Sequence, residues 1–156
     1  MIRRLALTAG AVVLSASVGL ARGKAEPFCS DLTHVVRLAA GADKFASITG
    51  KVREGSFYET SRPLTGWKDC TIYGERTYSC NSHDIRTANA AREKVTAVVR
   101  QVKACFGQGW WSQDELRTSP LYVVLHHPVG LATMTVSTDE DRKGVYVLRM
   151  TMFLRN

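Results

Sequence analysis

Residues 85–106 read IRTANAAREKVTAVVRQVKACF. Apolar side chains fall at Ile85, Ala88, Ala91, Val95, Val98, Val99, Val102, Cys105 and Phe106, which is one stripe along an α-helix. Arg86, Arg92, Glu93, Arg100 and Lys103 lie mostly off that stripe. Asp84 or Thr87 supplies a cap at the start, and Gly107 closes the end. A helix with a single apolar face needs a second layer to bury it. The flanking sequence supplies strands on both sides.

Just upstream, residues 70–80 read CTIYGERTYSC. A three-residue loop at Gly74-Glu75-Arg76 sets Tyr73 opposite Thr77, Ile72 opposite Tyr78 and Cys70 opposite Cys80. Directly opposed residues bring their Cβ atoms to about 4.5–5.5 Å, so this hairpin predicts a Cys70–Cys80 bridge. Further upstream, Cys29 to Ala42 carries Leu32, Val35, Val36 and Ala39 at helical spacing, with Ser30 as N-cap and Gly41 as stop. The next run, FASITGKVR, alternates, with Ala46, Ile48 and Val52 on one face, and predicts a half-buried strand. Residues 54–68 lack periodicity and read as a loop, or as a short strand over Ser56 to Thr60.

Downstream of the helix, GQGWWSQDELRTSP reads as a loop or a single turn. YVVLHH, LATMTVST and VYVLRMTMFLR then form three candidate strands, with turns at Pro128-Val129-Gly130 and Asp139 to Gly144. In the last of them Tyr146, Leu148, Met150, Met152 and Leu154 share a face, opposite Arg149, Thr151 and Arg155. The expected fold class is α+β. Two helices lie against an antiparallel sheet in the order α-β-β-β-α-β-β-β, stapled by two disulfides. The order raises a duplication, although the halves share no matching spaced residues.

The chain has 156 residues, with 22% charged and 45% hydrophobic side chains, an ordinary globular composition. It opens MIRRLALTAGAVVLSASVGLARGKA. Arg3 and Arg4 precede an apolar run from Leu5 to Leu20, and Gly19 and Ala21, or Gly23 and Ala25, occupy the −3 and −1 positions of two cleavage sites. This is the layout of a secretory signal peptide. The 16-residue run is short of the roughly 20 residues of a stable span. Residues 1–25 are therefore expected to be cleaved, leaving 26–156 as one domain with no stable membrane anchor, in the periplasm or outside the cell. All four cysteines, Cys29, Cys70, Cys80 and Cys105, follow the leader. An even count in an exported chain reads as two bridges. With Cys70–Cys80 taken, Cys29 pairs with Cys105 and ties the first helix to the end of the second.

The formal net charge is +7, but four of the 21 cations and none of the 14 acids fall in the first 25 residues, leaving +3 for the rest. No nucleic-acid partner is expected from that balance. No C-x-x-C pair occurs, and neither a metal site nor a cofactor is expected. His126 and His127 are adjacent on a strand and point to opposite faces. The G-x-S-x-G nucleophile pattern is absent, and Asp139-Glu140-Asp141 reads as a solvated turn. No catalytic constellation emerges. What rises above background is aromatic: Trp110 and Trp111 follow the long helix, and Trp67 precedes the hairpin with Arg62 nearby. Aromatic rings beside an arginine mark a binding surface.

The expected function is thus a small exported, non-enzymatic binding protein of the cell envelope or secreted space: an inhibitor, an immunity-type protein or an envelope accessory. Its face is formed by Trp67, Trp110, Trp111 and Arg62, and its partner is another envelope or secreted protein. The alternatives are a small nuclease-like hydrolase using His126 or His127, and a structural envelope protein. Intact-mass analysis of protein isolated from the envelope fraction checks the leader and the bridges together. The expected mass lacks residues 1–25 and is about 4 Da below the fully reduced value, about 1 Da for each thiol hydrogen lost.

Overall fold

The computed structural model describes residues 26–107, 111–113, 122–126 and 132–154. Helix α1 spans Pro27–Ala40 and α2 spans Ala88–Phe106. Four strands precede α2: β1 (Thr49–Glu54), β2 (Phe57–Thr60), β3 (Lys68–Tyr73) and β4 (Thr77–Asn81). Four follow it: β5 (Trp111–Gln113), β6 (Tyr122–His126), β7 (Ala132–Arg142) and β8 (Val145–Leu154). All join one antiparallel sheet in the order β1-β2-β3-β4-β8-β7-β6-β5. The expected α+β layering holds, with β2 taking the short-strand alternative and β5 added at the far edge.

The strand order records a duplication of topology. One helix followed by four strands occurs twice, and the second set of strands runs back from the seam where β4 pairs with β8. A local two-fold at Ser79↔Thr151, the middle pair of that seam, generates this order. Packing breaks the symmetry, because both helices contact β7 and β8.

Local chemistry explains where the elements begin and end. Helix α1 starts two residues before Cys29 because Pro27, at its first position, has a backbone preset for helix and no N–H to satisfy. Helix α2 starts at Ala88, three residues after Ile85. Thr87 caps it by accepting from the Ala90 backbone N–H at 3.1 Å. Ile85 instead bridges Tyr146 through two backbone hydrogen bonds of 2.8 Å.

The Cys70–Cys80 hairpin has the expected register through Tyr73↔Thr77 and Ile72↔Tyr78. A bulge between Lys68 and Thr71 follows, with Asp69 at φ +47°. The expected turn at Asp139 to Gly144 is shorter: β7 continues to Arg142, and only Lys143 and Gly144 lie between the strands. Gly144 supplies the positive φ (+74°) of that tight turn. Its N–H donates to Glu140 Oε1 at 2.8 Å.

The core lies between the helices and one face of the sheet. Leu32, Val35 and Val36 of α1 and Val95, Val98 and Val102 of α2 meet Ile72, Tyr78, Met134, Leu148, Met150 and Met152. The last strand divides as expected, with Leu148, Met150 and Met152 inward and Arg149 outward. Val52, expected on a buried face, is 62% exposed because β1 is an edge strand outside the helical layer.

Two disulfides close the fold: Cys29–Cys105 with a sequence separation of 76, and Cys70–Cys80 with a separation of 10. In the chain-entropy picture the long loop contributes about 4.5 kcal/mol and the short one about 2.8 kcal/mol. Urea unfolding of the paired alanine variants is expected to place Cys29→Ala/Cys105→Ala below Cys70→Ala/Cys80→Ala by about 1–2 kcal/mol. The reverse order would show that the burial of Cys80 outweighs loop length.

Candidate functional site

A concave part of the surface is built around the Ser61–Trp67 connection between β2 and β3. Three anchors hold this loop against the core. Leu64 is buried at its centre. The buried Tyr78 hydroxyl donates to the Arg62 carbonyl at 2.7 Å. Burial, reinforced by the nearby charge of Asp31, pushes the ionisation of this phenol up, so it stays a donor. Asp31 of α1 accepts from both the backbone N–H (3.1 Å) and the hydroxyl (2.6 Å) of Thr65 through Oδ2. Gly66 then turns the chain at φ +83°. This sets Trp67 half-buried against the core.

Across from Trp67 stand Lys94, Val98 and Gln101, three residues spaced along one face of α2. Glu26 and Phe28, at the start of α1, close one end, and Leu148 of β8 and Ser82 form the floor. The resulting cavity measures about 310 Å³. A second cavity of about 310 Å³ abuts it, walled by His83, Asp84, Ile85 and Ala90. The two share Gly66, Ser82 and Lys94, so they form one groove. Its size lies in the range of small-molecule sites.

The polar groups of the groove are mostly engaged by the protein itself. The Ser82 hydroxyl donates to the His83 carbonyl at 2.8 Å and accepts from the Leu148 N–H at 3.0 Å, a structural pattern that leaves no poised nucleophile. Asp84 accepts from Lys68 Nζ and from the Arg142 guanidinium, each at 3.1 Å. These hydrogen bonds hold its carboxyl below the usual aspartate range. Glu26 Oε1 accepts from Gln101 Nε2 at 3.2 Å. Lys94 has no ion-pair partner among the described residues. No cluster of metal-ligating side chains occurs among the described residues, and none of their helices is long and apolar enough to cross a membrane.

The expected aromatic face is divided. Trp67 lines the groove, and Arg62 sits exposed on the same loop with its carbonyl engaged by Tyr78. Trp111 lies in β5, five strand positions from β3 and paired with His126, about 24 Å away at ordinary strand spacing. Trp110 and His127 lie outside the described residues, as do residues 1–25. The ring nitrogens of His126 are shielded from solvent, a poor position for proton exchange with a substrate.

Lys94, Gln101, Phe28 and Glu26 were not singled out by sequence. The spacing of Lys94, Val98 and Gln101 places them on one helical face, but only the tertiary fold brings Trp67 opposite. A second surface lies on the outer face of the sheet, where Phe57 and Tyr73 pair at 4.8 Å and Phe153 falls in the same row.

Because the carboxyl of Asp84 is lowered, its ion pairs stabilise the fold above the ordinary aspartate value near 3.9 and are lost as pH falls through the lowered value. Urea midpoints measured at about pH 5 and below about pH 3 are expected to fall more for the wild type than for Asp84→Asn. Equal acid losses would contradict this assignment. No family model, no curated protein and no solved structure matches this chain.

Proposed function

We propose that this chain is an exported, disulfide-stapled, non-enzymatic binding protein of the periplasm or secreted space, and that it takes its ligand in the groove beside Trp67. The carrying observation is the groove itself. An aromatic side chain and an apolar floor are held open by a loop anchored at Leu64, Tyr78 and Asp31, while the neighbouring hydroxyl and carboxylates are satisfied within the fold. A pocket preformed in this way costs little ordering on binding. Two disulfides fit an oxidising compartment, in keeping with the leader-like first 25 residues.

The site differs from the surface expected from sequence, since Trp67 acts here without Trp111. Native mass spectrometry of the protein recovered from envelope extract is the test. Wild type and Trp111→Phe are expected to carry the same bound mass, and Trp67→Ala is expected to lose it while keeping its circular dichroism spectrum. Equal recovery by Trp67→Ala would remove the groove as the binding site.

A further inference from the structure

We infer that the groove takes a small amphiphilic carboxylate, its apolar body lying along Trp67, Phe28 and Val98 and its acid group meeting Lys94. This deepens the reading of the groove as a binding site and rests on it. The first argument is charge. Asp84 is matched by two cations, Lys68 and Arg142. Glu26, at the far end of one cavity, turns its Oε1 to Gln101. Lys94 lines both cavities and has no ion-pair partner among the described residues. Lys68, Arg142 and Lys94 against Asp84 and Glu26 leave the groove one net positive charge, carried at Lys94 between the two cavities.

The second argument is the apolar floor beneath that charge. Phe28 and Val98 are each 4% exposed, Leu148 is fully buried and Trp67 is half-buried. Lys94 stands one turn before Val98 on α2, and a helical side chain leans toward the helix N-terminus. Its ammonium therefore leans toward the second cavity, away from the apolar wall that Trp67, Phe28 and Val98 give the first. A ligand with one negative end and one apolar end matches this division. The combined space suits an acyl chain and is too small for a folded partner.

Titration calorimetry of the oxidised protein with dodecanoate, below its micelle concentration, tests the assignment. Dodecylamine, with the same chain and the opposite charge, is the control. Dodecanoate is expected to bind and to shift the Trp67 indole resonance. Decanoate is expected to bind roughly 15-fold more weakly, about fourfold for each methylene left out. Lys94→Gln, a change on an exposed helical position, is expected to cost dodecanoate about tenfold, and Lys94→Glu to invert the preference toward dodecylamine. Equal binding of the two amphiphiles by the wild type, or unchanged affinity in Lys94→Gln, would overturn the inference. If dodecanoate fails while Trp67→Ala still loses the mass captured from envelope extract, this ligand class is wrong and the groove stands. If neither depends on Trp67, both readings fall.

Discussion

The Cys29–Cys105 bridge is the constraint on which the arrangement depends. It joins the first turn of α1 to the last turn of α2 across 76 residues. Helix α1 is short, and its packing contacts fall on β7, β8 and α2, elements far away in sequence. Ordering such a helix against distant partners carries a large loop-closure cost, and the bridge removes much of it from the unfolded chain. The consequences run outward from there. With α1 fixed, Asp31 is in place to hold Thr65, and Glu26 and Phe28 stand at the end of the groove. With the loop fixed, Trp67 faces α2. The groove is a product of one covalent tie and a few short hydrogen bonds.

The asymmetry of the helical layer places this site. A duplicated topology has one helix for each half of the sheet, yet both helices gather over β7 and β8. Strands β1 and β2 extend beyond them with most residues exposed. The groove lies where the helical layer meets the loop that leads back from those strands to β3. Its floor residue, Leu148, belongs to a strand packed under both helices, whereas its lip belongs to a surface connection. A rigid floor under an anchored loop is a common way to position recognition groups.

Much of the layering was legible in the residues because periodicity reports burial directly. The stripe from Ala91 to Phe106 and the two-residue alternation from Tyr146 to Leu154 each mark one buried face. The hairpin register was legible because a three-residue loop between Tyr73 and Thr77 leaves little freedom, and the cysteine pairing followed from it. Val52 departs from the expected burial because alternation marks a strand without telling whether a helix covers it. The start of α1 lies before the expected Cys29 because the apolar periodicity begins only at Phe28 and Leu32, whereas the helix is opened by Pro27, whose backbone is preset for it. Strand β5 carries only three residues, too few for a pattern. The candidate site was legible only through Trp67. Proximity of Trp67 to Trp110 and Trp111 was inferred from residue type, whereas the order of strands, which no local pattern encodes, separates β3 from β5.

The most direct test of this account is native-state hydrogen exchange of the Cys29→Ala/Cys105→Ala protein against the disulfide-intact chain. If the bridge holds α1, and α1 holds the groove, protection falls in α1 and in the Thr65 and Trp67 amides, while the β4–β8 seam keeps most of its own. Unchanged protection at Thr65 and Trp67 would contradict it, showing that the loop and its tryptophan are positioned without the bridge.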